Sequence, residues 1–340
     1  YKRFLPHWSS DLKLAPLEPF EHVDPGHAAL DDDDPLSFLG NATVKSITPT
    51  FGVEVLDGVD LTALTSHERS QLALFVARKG VVVLRNQQKF IDADPEWQIR
   101  DYGATFGMIH IHPVSGQPKD FPELHLVFRD AKKNSDDRVD YSNRLNSTTI
   151  HSDVTYELQP PGMTTLFLYD TPESGGDTLF IDQQAYKRLS PSFRSYLETL
   201  KAVHSGFEQA ALSAQHHGTD TIKRQPVKHE HPVIRKHPVT GEKALQVIVF
   251  FLFRFSFVQP GFTRYIVGLK KEESDTILNL LYDHIAKGHD FQARARWGEK
   301  GSVTLWDNRI TAHSALVDWN DGIAARRHGA RITAQAERPF

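Results

Sequence analysis

The sequence predicts a mainly β fold with flanking helices, of the double-stranded β-helix or jelly-roll kind. Three observations carry that expectation. Short runs of β-branched and aromatic residues bounded by turn residues recur along the chain, as in Val81-Val82-Val83-Leu84, Thr164-Thr165-Leu166-Phe167-Leu168-Tyr169 and Val303-Thr304-Leu305-Trp306. Helical periods are few. The side chains best suited to chemistry, His151, Asp153 and His313, lie on predicted strands far apart in sequence, which a closed β framework brings together. At 340 residues with 39% hydrophobic content, one large domain with a substantial core is expected.

Residues 1–40 are polar and proline-rich and end in Asp31-Asp32-Asp33-Asp34-Pro35. They lack the basic-then-apolar pattern of a signal peptide and read as an arm on the surface of a domain spanning 41–340. The start at Tyr1 rather than Met suggests that an initiating segment has been removed. Residues 42–47 and Val53-Glu54-Val55 alternate like strands. Thr65-x-x-Glu68 is a capping box that opens a helix with Leu72, Phe75 and Val76 on one face and Gly80 as its stop. Val81–Leu84 reads as a buried strand. Asp94-Pro95 opens a second helix that buries Trp97, Tyr102 and Phe106. In Ile109-His110-Ile111-His112-Pro113 alternation puts both histidines on one face, as a second metal pair or as ordinary polar residues. Residues 131–146 are polar, without apolar period, and read as a surface loop bordering the His151 strand.

Thr164–Tyr169 and Thr178-Leu179-Phe180-Ile181 read as core strands. Ser190-Pro191 opens a helix with Phe193, Tyr196, Leu197 and Leu200 on its buried side. Residues 206–228 are polar and rich in His, with no helical or strand period. His216, His217, His229, His231 and His237 read as solvated loop residues rather than a metal tract. Residues 233–246 form a hairpin around Pro238-Val239-Thr240-Gly241. The run at 247–257 is apolar, too short to cross a bilayer as a helix, and hazardous if exposed; it reads as an extra buried strand or as translated intron. Lys271-Glu272-Glu273-Ser274-Asp275 starts a helix that buries Ile277, Leu278, Leu281 and Ile285. Residues 303–306 and 330–333 are the terminal strands.

The charge balance of 39 basic against 43 acidic residues gives −4, so neither nucleic acid nor an anionic membrane is attracted globally, and any anion binding is local. There are no cysteines, which excludes a disulfide framework and thiolate ligation and suits a cytoplasmic protein.

His151-x-Asp153 on an extended strand presents an imidazole and a carboxylate on one face. With His313 they would form the facial two-His, one-carboxylate set of open Fe(II) sites. Among eighteen histidines such a pair arises easily by chance, so spacing alone does not make a site.

The motifs around these residues say more. His151-Ser152-Asp153-Val154-Thr155, Gly175-Gly176-Asp177-Thr178-Leu179-Phe180, Trp306-Asp307-Asn308-Arg309 leading to His313, and Arg327-x-x-x-Arg331-x-Thr333 follow in order. Together they resemble the Fe(II)/2-oxoglutarate dioxygenases of the taurine dioxygenase (TauD/TfdA) family, from about residue 40 to the C-terminus. Residues 156–162 (Tyr156 to Gly162) and Ala336-Glu337-Arg338-Pro339 resemble its fungal sulfonate dioxygenase branch. The apolar run at 247–257 departs from that pattern.

The resemblance implies iron on His151, Asp153 and His313, 2-oxoglutarate held at its far carboxylate by Arg327 and Thr178, and a sulfonate held by His112 and Arg331. His110 is left structural. It also implies an insert at 206–228 that folds over the site as a lid. With O2, such an enzyme hydroxylates the carbon beside sulfur and releases sulfite, an aldehyde, succinate and CO2. The residues that would meet an amine of taurine are not matched; Ser115 and Ser147 occupy those neighbourhoods. The same motif would serve an alkyl sulfate ester or a carboxylate. A non-catalytic metal-binding jelly roll and a Zn hydrolase are readings of another class. The expected partner is a small anionic molecule, and a homo-oligomer stays open.

Overall fold

The computed structural model describes residues 1–130, 150–246, 262–298, 301–316, 318–319 and 326–340. Its strands are β1 (Val44–Ser46), β2 (Val53–Val55), β3 (Val81–Leu84), β4 (His125–Asp130), β5 (Pro161–Asp170), β6 (Thr178–Asp182), β7 (Lys201–Ser205), β8 (Lys228–Pro232), β9 (Ile234–Lys236), β10 (Lys243–Leu245), β11 (Thr263–Ile266), β12 (Gln292–Ala295), β13 (Val303–Asp307), β14 (Thr311–Ala315) and β15 (Arg326–Gln335). Sheet predominates and helices are few, as the sequence predicts.

The larger sheet has the order β1-β2-β3-β13-β5-β15-β4, antiparallel except for the β2–β3 pair. A smaller sheet, β12-β6-β14, faces it, and a bridge between His151 and His313 carries pairing on beyond β14. Sheets β11-β7-β8 and β10-β9 complete the set.

Strand alternation explains the layers. Val81, Val83, Leu166, Leu168 and Trp306 of the larger sheet pack with Phe180, Ala293 and Ala295 of the smaller one. Their neighbours Val82, Leu84, Phe167, Val303 and Leu305 point the other way, onto Leu72, Phe75 and Val76 of the helix Ser66–Lys79. Both faces of the larger sheet are therefore covered, and its central strands read as unbroken apolar runs for that reason. On the far side of the smaller sheet Ile181 meets Leu278, Leu281 and Ile285 of the helix Lys271–Lys287.

The capping box at Thr65 and Glu68 forms in both directions, and Gly80 ends that helix at φ +74°, a conformation a β-carbon disfavours. Asp94 caps its helix through the Glu96 N–H at 2.8 Å, after which the chain widens into a π turn over Gln98–Tyr102. Three expectations need correction. Tyr196 is exposed rather than on the buried side of Pro191–Leu197. The stretch expected to lack periodicity contains the helix Phe207–His217, which buries only Ala210 and so writes no apolar period into its sequence. Of the histidines read as solvated, only His216 and His217 are exposed. His231 and His237 are fully buried, bonded to the Glu157 carbonyl and the Asp307 carboxylate, and half-buried His229 bonds the Tyr156 carbonyl. The expected loop at 131–146, Ser147 and the apolar run at 247–257 lie outside the described residues.

The first forty residues do more than cover a surface. Phe4, Phe38 and Leu39 enter the main core, His7 bridges to Gln117, and buried Asp24 reaches Arg309 at 2.5 Å. Arg309 also binds Asp307 at 2.6 Å and Glu337 at 3.3 Å, while Arg235 pairs with Glu337 at 2.6 Å. This buried ion network ties both ends of the chain to the turn after β13.

Candidate functional site: a metal triad and two arginines

His151 and His313 exchange backbone hydrogen bonds of 2.8 and 2.6 Å, which sets their rings side by side with centroids 4.5 Å apart. The extended run does not continue through Asp153 as expected. A turn begins there, and Val154 takes φ +37°, a costly conformation for a β-branched residue. Asn308 holds the turn: its Oδ1 accepts the Asp153 N–H at 3.2 Å and the Trp306 indole N–H at 3.1 Å. Its Nδ2 donates to the Gly162 carbonyl and the Thr164 hydroxyl, both at 2.9 Å. The Ser152 hydroxyl adds a bond to the Asn308 carbonyl at 2.8 Å. Sequence reading singled out the Trp306–Arg309 motif but not this task, because its partners are some 150 residues away.

The result is a compact donor set. One ligand atom from each of His151, Asp153 and His313 lies within 4.8 Å of the other two. Asp153 Oδ1 is 3.8 Å from His151 Nε2 and 3.9 Å from His313 Nε2. Burial raises the pKa of Asp153, but Arg331 and the two imidazoles outweigh it and hold the carboxyl below its usual range. Burial pushes His313 down to about 3 against the pull of Asp153, so its ring keeps a lone pair at neutral pH. Buried Asp153 Oδ2 has no hydrogen-bond partner among the described residues. The neutral His313 imidazole, the His151 ring beside it, an ionised carboxylate and an unsatisfied buried oxygen suit a divalent first-row ion with open positions.

These residues line a cavity of about 290 Å³ with His112, His125, Gln209, Phe262, Thr178, Arg327 and Arg331 among its walls. All seven residues predicted from sequence meet here; His125 and Gln209 were missed. Arg327 on β15 donates to the Gly176 carbonyl at 2.9 Å and to Thr178 Oγ1 at 3.4 Å, and it forms no ion pair among the described residues. Burial lowers its pKa to about 10, with Asp177 pulling upward, so the buried cation stays charged at neutral pH. Arg331, four residues on, reaches Asp153 Oδ1 at 2.6 Å through Nη1 and His125 Nδ1 at 3.1 Å through Nη2. His112 Nδ1 receives the Val114 N–H at 3.3 Å and lies 2.8 Å from the Ser115 hydroxyl. His110, by contrast, is turned to Glu157 at 3.3 Å. The helix Phe207–His217 contributes Gln209, whose Oε1 accepts the Tyr156 hydroxyl at 2.8 Å.

A larger open groove of about 910 Å³ lies beside β1 and β12. Four of its charged residues are paired with one another, Arg85 with Glu54 at 2.6 Å and Arg294 with Asp177 at 2.7 Å, and it lacks the triad. Size does not select the site here; convergent chemistry does.

A facial triad beside a buried cation able to take a carboxylate is the equipment of a metal- and oxo-acid-dependent oxygenase. The model of the family described as taurine catabolism dioxygenase TauD, TfdA family, matches residues 43–333. An α-ketoglutarate-dependent sulfonate dioxygenase of Saccharomyces cerevisiae is 43% identical over all of this chain and 78% of its own length. The α-ketoglutarate-dependent dioxygenase cnsM of Penicillium expansum is 38% identical over all of this chain and 90% of its own. The crystal structure of a taurine dioxygenase from Burkholderia xenovorans superposes with a TM-score of 0.68 at 30% identity, covering 88% of this chain and 91% of that one. The chain belongs to the TauD/TfdA family and is an Fe(II)- and 2-oxoglutarate-dependent dioxygenase.

Proposed function

We propose that this dioxygenase oxidises an alkylsulfonate at the carbon bound to sulfur. The observation that carries the reading is that a metal triad and two buried arginines, Arg327 and Arg331, line one cavity. Two anions can thus be held at once. Fe(II) on His151, Asp153 and His313, with 2-oxoglutarate and O2, supplies the chemistry that turns the C–H beside sulfur into C–OH.

The chain's own residues bind and orient. Arg327, with the Thr178 hydroxyl as second donor, takes the far carboxylate of 2-oxoglutarate through its rigid fork. Arg331 and His112 take the sulfonate and so fix which carbon faces the metal. Phe262 and Val154 give the cavity apolar walls that favour an alkyl chain and exclude water. One oxygen atom enters succinate as CO2 leaves, and the other becomes the hydroxyl. The hydroxylated carbon then loses sulfite and becomes an aldehyde.

The rest of the reading rests on the same support. The two facing sheets are taken as a double-stranded β-helix, with residues 1–40 as an arm on the 41–340 domain and the 206–228 segment, through Gln209, as a lid. No described helix is long and apolar enough to cross a membrane. A cytoplasmic location and a homo-oligomer belong to the proposal.

The test is succinate formation under air with Fe(II), 2-oxoglutarate and a panel of alkylsulfonates, alkyl sulfates and carboxylic acids, with sulfite followed in parallel. Succinate and sulfite rising together with a sulfonate is the expected result. Succinate coupled only to a sulfate ester or a carboxylate would keep the iron chemistry and remove the sulfonate. A mere metal binder would have no use for Arg327 and Thr178.

A further inference from the structure

We propose that His125 is a third hydrogen-bond donor to the substrate head group and that it selects an –SO3⁻ group, whether sulfonate or sulfate ester, over a carboxylate. This rests on the reading above, which assigned only His112 and Arg331 to that anion.

The register places it. β4 and β15 pair antiparallel with His125 directly opposite Arg331, so the two side chains rise from one face of the sheet into the same cavity. The His125 ring meets that of His112 edge to face, with centroids 4.5 Å apart.

Hydrogen bonding then fixes the tautomers. A guanidinium can only donate, so the 3.1 Å contact between Arg331 Nη2 and His125 Nδ1 makes that nitrogen an acceptor and leaves the proton on Nε2. The Val114 N–H donates to His112 Nδ1 at 3.3 Å, with the same consequence. Neither Nε2 has a partner among the described residues. Burial, reinforced by Arg331, holds both imidazoles well below their usual range, so both are neutral donors at physiological pH.

One cation and two neutral N–H groups are therefore grouped at one end of the cavity. Arg331 already shares its charge with Asp153 at 2.6 Å. The two imidazoles add donors without adding charge beside it. Three donor side chains can each take a separate oxygen of –SO3⁻; the two oxygens of a carboxylate would have to be shared among them in poorer geometry, a cost its binding would bear.

Calorimetric titration of the metal-loaded protein with 2-oxoglutarate, without oxygen, tests this using 1-pentanesulfonate, pentyl sulfate and hexanoate. In His125→Asn, whose amide is too short to reach the Nε2 position, the preference for 1-pentanesulfonate over hexanoate should fall about tenfold, the loss of one hydrogen bond to a charged group. In His125→Gln, which restores a donor there, the preference should return, with 2-oxoglutarate affinity unchanged in both variants. Equal weakening of all three probes, or no change, would overturn the role of His125. A wild-type protein that prefers hexanoate would instead overturn the sulfonate reading and this proposal with it. Pentyl sulfate binding better than 1-pentanesulfonate would keep His125 in place and identify the ester as the source of the head group.

Discussion

Arg331 Nη1 lies 2.6 Å from Asp153 Oδ1, so the residue assigned to the substrate anion also neutralises the carboxylate assigned to the metal. Arg331→Leu leaves a buried carboxylate without its cation and should lower the stability of the metal-free protein by roughly 3 kcal/mol. A divalent ion replaces the missing charge, so adding one should narrow the gap. Denaturant unfolding of wild type and variant, each with and without metal, checks both statements.

Removing a donor from the triad should be more specific. His313→Ala should weaken binding of a divalent ion by at least about 100-fold, beyond what losing a supporting residue typically costs. Dialysis against a metal buffer measures it, and succinate formation should disappear in parallel.

Asn308 is not one of the three metal donors, yet it organises the turn that presents Asp153. Asn308→Ala should reduce metal affinity by roughly 10- to 100-fold while the three donors remain in the sequence. Unchanged affinity in a folded variant would show that the Val154 turn holds itself.

Arg327→Ala should raise the KM for 2-oxoglutarate by about 10- to 100-fold, the loss of hydrogen bonds to a charged group. Arg327→Lys keeps the charge but not the fork and should recover only part of it. Thr178→Val should cost less than either. Steady-state kinetics with the primary substrate saturating separates this from an effect on the sulfonate.

Glu337 supplies a pH signature away from the site. Burial raises its pKa, but Arg235 and Arg309 prevail and bring it down to about 2, below the value of an unfolded glutamate. A depressed folded pKa means that the unfolded chain binds the extra proton first. The stabilisation is therefore complete above about pH 5 and is lost as pH falls toward 2, with a magnitude of roughly 3 kcal/mol. Relative to Glu337→Gln, the wild type should be more stable at pH 7, and the difference should shrink with acidification; unfolding free energies measured from pH 7 to pH 3 follow it.

The sequence by itself determined the sheet-rich class, the central strands and the helix ends at Thr65 and Gly80, because alternation, capping and turn chemistry are local. Its motifs, through their resemblance to the TauD/TfdA family, also nominated the seven candidate residues that line one cavity. Only the tertiary structure decided how they work together. The Val154 turn depends on Asn308, Arg331 is divided between Asp153 and His125, and His231 and His237 are buried by partners 70 or more residues away. The helix Phe207–His217 was hidden because it buries too narrow a face to leave a period. These are properties of long-range packing, in which a residue's role is set by what the fold brings beside it and not by its neighbours in the chain.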